Sequence, residues 1–387
     1  MRALFVNHTG RISGGELSLI GMLEAMPAKV QASVACPEGP LAHRLRDRGV
    51  EVLVIHGTDG SLRLHPIRTP QALAQMGRAS LQVRIAAAQV KADLVHANSI
   101  RAGIIATAAL PGRSRPTVVH VRDCLPSGTL SGLTLRAISR ADALIANSTY
   151  TKSTLGPAKA RARVVHNAVD LSRFDRLRLS RADARARLGL GEGQPILAVV
   201  AQITPWKGQM DAIAIANTLL RSHPDLHLLL VGSPKFDSAA TRYDNTAYFE
   251  LLRQRVLDLG LMDSVHFLGE RDDVPEILRA VDLLLVPSWE EPFGRAIIEA
   301  MASGVPVAAT NVGGPPEILG EPECGLLLPP REPRIWADAI GRLLGDPAQL
   351  QTMGERGQAA ARSRFCVKSH VNEIVALYES VIGADAA

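Results

Sequence analysis

Cysteine is scarce in this sequence of 387 residues: Cys36, Cys124, Cys324 and Cys366 are all there is, and no two stand in a C-x-x-C arrangement. That excludes a disulfide framework and a zinc knuckle, and it fits a reducing, cytoplasmic setting. Aromatic residues make up only 4% of the chain, so the interleaved basic and aromatic surface that holds nucleic acid is lacking and no such partner is expected. No apolar run approaches the about 18 residues needed to span a bilayer. Met1-Arg2 leads straight into the short run "ALFV", so no leader peptide is expected either. Also absent are a G-x-G-x-x-G dinucleotide fingerprint, a Walker lysine loop, a G-x-S-x-G elbow and any D-x-D triplet. No cofactor and no metal ligand set is therefore expected.

What is present is enough apolar material, 47% of residues, for two domains, as the length already suggests. Net charge is +5, yet residues 1–190 hold 27 Lys and Arg against 12 Asp and Glu, whereas 191–387 hold 16 against 26. A first half at +15 beside a second at −10 points to an anionic partner for the first half, or simply to an arginine-rich solvated surface.

Short β-branched runs alternate with helical patterns from the start: "RALFVN", "VQASVAC", "VEVLVI", "ADLVHAN", "PTVVHV", "ADALIAN" and "ARVVHN". Continuous rather than alternating hydrophobicity predicts parallel strands covered on both faces, hence a doubly wound domain. The rhythm restarts with "ILAVVAQ", "LHLLLVG", "SVHFLG", "VDLLLVP" and "VPVAAT". The expected organisation is a first Rossmann-like domain over 1–172, a charged linker over 173–194, a second such domain over 195–365, and a C-terminal helix over 366–387 that can cross back to the first domain. Neither a 20–50-residue repeat nor a low-complexity tract occurs.

In doubly wound sheets ligands gather beyond the carboxyl ends of the strands, and four stretches lie at such places. "NHTGRISGGELS" carries Gly14 and Gly15, which allow close backbone approach at a helix start or merely make a turn. "VVAQITPWKGQ" puts Lys207 after the first strand of the second domain, as a point charge for a phosphate or as a solvated lysine. "PSWEEPFGRAIIEAMASGVPVAAT" places Glu291 in a loop with Phe293 and Gly294, a helix start near Arg295, and Glu299 inside an apolar helical run. A buried carboxylate there needs hydroxyl donors from a ligand or a cationic partner from the protein. "TVVHVRDCLP" holds His120 and Asp123, and His96 ends the preceding strand; such histidines can bond a ligand hydroxyl or serve the core.

Together these residues resemble the two-domain GT-B glycosyltransferases, in particular the retaining, nucleotide-sugar-dependent family-four group. The resemblance covers nearly the whole chain. It rests on E-x7-E from Glu291 to Glu299, with "ITPWKGQ", "VVHNAVDLSRF", "ANSTYTKSTL" and "GGPPEIL" in the expected order. It implies an α/β fold of two Rossmann-like domains facing a central cleft. It also implies that Glu299 binds the nucleotide ribose, Lys207 the diphosphate, and Glu291 with the Phe293-Gly294-Arg295 backbone the donor sugar. Gly15 would approach the diphosphate, His120 would sit near the anomeric carbon, and the loop through Arg271 would border the base. Gly14, His96 and Asp123 are the acceptor-side candidates, and His120, Glu291 and Lys207 the catalytic ones. One departure stands out: the family often carries G-R-[LI] beside the phosphates, where this chain has Ala201-Gln202-Ile203, and Gln202 brings no charge.

The implied activity is transfer of a hexosyl or N-acetylhexosaminyl group from a nucleotide sugar, expected to be a UDP-sugar, to a hydroxyl acceptor in glycolipid, polysaccharide or secondary-metabolite glycoside synthesis. A silent partner subunit and a sugar-nucleotide epimerase are the alternatives on the same scaffold. The basic segment over 57–70, with Arg101, Arg113 and Arg115, suggests an anionic or lipid-linked acceptor and peripheral contact with the inner face of a membrane.

Overall fold

The computed structural model describes residues 1–58, 68–110, 115–125, 129–175, 179–235, 243–320 and 324–385. The chain forms two compact units, Met1–Ala168 with Val367–Ala387, and Val169–Cys366. In the first, β1 (Arg2–Val6), β2 (Gln31–Cys36), β3 (Glu51–Val54), β4 (Leu94–Ala97), β5 (Thr117–Val121), β6 (Ala143–Ala146) and β7 (Ala162–Val164) make one parallel sheet in the order β3-β2-β1-β4-β5-β6-β7. In the second, β8 (Ile196–Val200), β9 (His227–Val231), β10 (Val265–Gly269), β11 (Leu283–Val286), β12 (Val307–Thr310) and β13 (Gly325–Leu328) pair in parallel as β10-β9-β8-β11-β12-β13. Each is a Rossmann-like α/β unit. Strand order reverses between β1 and β4 and between β8 and β11, and these switch points are where such sheets receive ligands.

The unbroken apolar runs follow from burial on both faces. In β1, Leu4 and Val6 join one core while Ala3 and Phe5 join the other; in β8, Ile196 and Ala198 alternate with Leu197 and Val199 in the same way. Strand-to-helix corners in the first unit repeat one device. Ser99 and Ser148 each cap a helix by accepting from the backbone N–H three residues on, Ala102 and Thr151 respectively. Strand β13, "GLLL", escapes the sequence reading because its burial is only partial at the sheet edge and Pro329 follows at once.

Residues 173–194, expected to be a linker, belong to the second unit. Helix Arg181–Arg187, capped by Ser180, holds Arg185 almost fully buried, 3% exposed. Its guanidinium donates to the carbonyls of Ala280 and Gln194 at 3.1 Å each and pairs with Asp282 at 2.7 Å. A charged sequence is thus fastened down because its counter-charge comes from far along the chain. The C-terminal helix, Val367–Asp385, packs within the first unit, where Val371, Ile374 and Tyr378 complete a core. Among the described residues no helix is long and apolar enough to cross a membrane.

Candidate functional site

Loops leaving β8 and β11, the two strands at the second unit's switch point, are bound to each other. After β8 a 3-10 turn, Pro205–Lys207, leads through Gly208 at φ +71° into helix Gln209–Leu219. A Cβ on Gly208 would stand 2.1 Å from the carbonyl oxygen of Pro287, so only glycine lets the two loops approach. The Trp289 N–H donates to the Trp206 carbonyl at 2.8 Å. Glu291 is drawn toward the loop after β12: its carbonyl accepts from the Gly314 N–H at 2.8 Å, and a Cβ on Gly313, φ +104°, would lie 2.0 Å from that same oxygen.

These constraints place the predicted residues together. Lys207 Nζ donates to Glu291 Oε2 at 2.6 Å, and Ser288 Oγ donates to the same oxygen at 3.0 Å. Four residues after Glu291, helix Arg295–Ala302 starts, and Arg295 Nη2 pairs with Glu299 Oε1 at 2.9 Å. The cationic partner for Glu299 is therefore its own i−4 neighbour. Phe293 is buried beside Phe365, ring centroids 6.1 Å apart, so its side chain serves the core while its backbone shapes the loop. Gln202 lies just past β8, with its amide Nε2 donating to the Lys235 carbonyl at 3.2 Å. Arg271 follows β10, exposed and paired with Asp273 at 2.7 Å; this bond holds the Asp273 carboxyl below the usual range.

Sequence reasoning missed the surroundings of this pair. Trp289 Nε1 donates to Asp211 Oδ2 at 3.2 Å, Arg331 stacks on the Trp289 ring at 3.8 Å, and Lys207 Nζ lies over the Trp206 ring at 4.1 Å. Burial pushes the Asp211 carboxyl up. A signal was available: two of the chain's three tryptophans stand one and two positions from Lys207 and Glu291.

At the first unit's switch point a second polar cluster forms. Asn7 and Asn98 follow β1 and β4, and Asn98 Nδ2 donates to Asn7 Oδ1 at 3.0 Å. Arg122, one residue past β5 and 8% exposed, donates to Asn98 Oδ1 at 2.9 Å and to Asn167 Oδ1 at 2.6 Å; Asn147 donates to its carbonyl at 3.0 Å. Gly14 and Gly15 begin helix Gly14–Glu24, where the buried Glu16 accepts from the Ser13 N–H at 3.0 Å and from Asn7 Nδ2 at 3.2 Å. A carboxylate of the protein itself thus sits at that helix start. A Cβ on Gly15 would be 3.5 Å from Arg122 Cδ. Asp123 is exposed beside Arg122. The repeated strand-end asparagine in "FVN", "HAN", "IAN" and "VHN" was the legible sign of this network.

His96 and His120 depart from expectation: both are completely buried within their strands rather than standing beyond the ends. By strand parity His96 shares a face with Leu94 and His120 with Val118, the face that the C-terminal helix helps to cover. His96 Nδ1 meets the Tyr378 hydroxyl at 2.7 Å, and the His120 ring lies 5.6 Å from His96 and 6.2 Å from His370. Among the described residues neither nitrogen of His120 has a hydrogen-bond partner. Burial, reinforced by the Arg122 charge, pushes His96 down to about 3, His370 to about 4 and His120 well below the usual range. Burial thus favours the neutral form of these rings. Of the basic acceptor-side stretch, residues 59–67 and Arg113 lie outside the described residues; Arg115 donates to the Ala92 carbonyl at 2.8 Å.

Residues 12–173 match the family model described as Glycosyltransferase Family 4, and residues 180–360 the model described as Glycosyl transferases group 1. The D-inositol 3-phosphate glycosyltransferase of Nocardia farcinica is 39% identical over 232 residues, 58% of this chain and 49% of that protein. The chain spans about half the length of this relative and of its counterpart in Mycobacteroides abscessus, 46% covered. The lipopolysaccharide core biosynthesis mannosyltransferase LpsB of Rhizobium meliloti is 30% identical over 247 residues, 63% of this chain and 67% of LpsB. Among solved structures, Anabaena HepE in complex with UDP-glucose superposes with a TM-score of 0.84 at 28% identity, over 98% of this chain and 100% of that one.

Proposed function

Because the chain belongs to the family-four glycosyltransferases of GT-B fold, we propose that it transfers a sugar, with retention of configuration, from a nucleoside diphosphate donor held by its second unit to a hydroxyl acceptor. The observation that carries this reading is the coupling of Lys207 to Glu291 and of Arg295 to Glu299 around the carboxyl ends of β8 and β11. Two carboxylates and two cations, all largely buried, follow β8 and β11, on the side of the sheet where such folds take nucleotides. A ribose diol supplies the hydroxyl donors that Glu299 can accept, and sugar hydroxyls do the same for Glu291. UDP is the favoured nucleotide, supported by the UDP-glucose complex of HepE.

Transfer through an oxocarbenium-like state puts growing negative charge on the departing diphosphate. Lys207 can meet that charge once donor hydroxyls relieve it of Glu291, and the positive end of helix Arg295–Ala302 adds to it. With His120 sealed in the core, no side chain is assigned as nucleophile or base; the departing phosphate itself can take the acceptor proton. For the acceptor an anionic or lipid-linked hydroxyl compound is favoured. Residues 61–169 hold 15 Lys and Arg against three Asp and no Glu, and relatives are named for D-inositol 3-phosphate and for lipopolysaccharide core. Helix Arg68–Gln89 also exposes Leu73, Leu81 and Ile85 alongside Arg78 and Arg84, a composition suited to an anionic membrane surface.

Thermal denaturation with UDP, GDP, ADP and TDP, for wild type and Glu299→Ala, tests the donor reading. At about a hundred times its dissociation constant a ligand adds about 2.7 kcal/mol. One nucleotide should raise the wild-type melting point and fail to raise that of the variant. Four flat responses from the wild-type protein would refute the reading.

A further inference from the structure

Arg295 occupies an unfavourable position for its charge. It opens helix Arg295–Ala302, where the backbone dipole presents its positive end, and its acidic partner Glu299 lies on the C-terminal side, the reverse of the order that stabilises an isolated helix. An arginine placed against local stability, with its side chain only 17% exposed, is a sign of a task elsewhere. A second observation concerns Gln202. It stands just past β8, is neutral, and spends its amide on the Lys235 carbonyl at 3.2 Å. Lys207 is therefore the sole cation contributed by the β8 loop, residues 201–208, and it is bound to Glu291. The diphosphate of a nucleotide sugar carries about two negative charges, which one lysine does not match.

We propose that Arg295 is an exchangeable phosphate ligand. Without nucleotide it is held by Glu299; when the ribose diol bonds Glu299, the guanidinium turns to the diphosphate and supplies the second positive charge. The planar fork suits this, since it can give two parallel N–H···O bonds to carboxylate and phosphate alike. The exchange rests on the donor reading and specifies it: nucleoside and phosphate recognition are coupled through a single arginine, so a ligand lacking either part binds poorly.

The test compares wild type, Arg295→Gln, Arg295→Lys and the double variant Arg295→Gln/Gln202→Arg. Affinities for UDP, GDP, ADP and TDP and for the four corresponding nucleosides are measured by ligand-observed NMR titration. For the base that binds, Arg295→Gln should weaken the diphosphate roughly tenfold to a hundredfold while leaving the nucleoside unchanged or tighter. Arg295→Lys should fall between, and Gln202→Arg in the double variant should recover part of the lost diphosphate affinity. Equal weakening of nucleoside and diphosphate would overturn the proposal, leaving Arg295 as a residue that only orients Glu299. Unchanged diphosphate affinity in Arg295→Gln would overturn it as well. If no diphosphate binds wild type, the donor reading itself fails and the exchange with it.

Discussion

Replacing Lys207 by methionine separates its structural from its chemical role. The substitution keeps most of the apolar stem but removes the ammonium that lies over the Trp206 ring, leaving the Glu291 carboxylate, 8% exposed, with the Ser288 hydroxyl at 3.0 Å. Breaking a fully buried ion pair from one side costs about 3–5 kcal/mol. Lys207 retains 17% side-chain exposure, so water offsets part of this, and a loss of about 2–3 kcal/mol is expected. For a unit the size of Val169–Cys366, each kcal/mol moves the melting point by about 2–4 °C, so calorimetry should register a fall of about 4–12 °C. Adding Glu291→Gln removes the stranded charge, and the double variant should regain about 1–2 kcal/mol over Lys207→Met alone. Sugar transfer should behave differently, falling about a hundredfold to a thousandfold in Lys207→Met and staying low in the double variant. A melting point within about 2 °C of wild type for Lys207→Met, or a double variant no more stable than the sum of the single losses, would refute the argument that this pair is both buried and coupled.

Acid should act on the first unit. His96, His120 and His370 are neutral in the fold with depressed pKa values, about 3 for His96 and about 4 for His370, whereas in the unfolded chain they titrate near the ordinary histidine value of about 6.5. Below that value the unfolded state binds more protons, so stability is full above about pH 6.5 and is lost as pH falls toward 4, at up to about 1.4 kcal/mol per pH unit for each ring. Denaturation followed from pH 7.5 to 5 checks this, and His120→Met should flatten the slope; a slope unchanged by that variant would show that the ring is not buried neutral. Contact with membranes is checked by sedimentation with vesicles of phosphatidylcholine containing phosphatidylserine. At low salt the protein should pellet and Leu81→Ser/Ile85→Ser should pellet less; a wild-type protein left wholly in the supernatant ends that idea.

Much of this protein is determined by local sequence. Continuous apolar runs separated by helical patterns fix two parallel, doubly wound sheets, because a strand buried on both faces cannot alternate with polar residues. Strand-end asparagines, serine caps, and the "PWKG" and "EEPFG" loops mark the carboxyl ends where a site must lie. Apart from the local pair of Arg295 with Glu299, partners were decided by the tertiary structure. Arg185 meets Asp282 across 97 positions, Lys207 meets Glu291 across 84, and Tyr378 of the C-terminal helix meets His96 across 282. That last contact ties His96 into the core of the first unit, and the first turns a charged linker into a buried clamp. Periodicity reports which face of an element is apolar, a property of a dozen neighbouring residues. Which charge answers a buried charge depends on the order of strands in the sheet, and that order emerges only when the whole chain has closed upon itself.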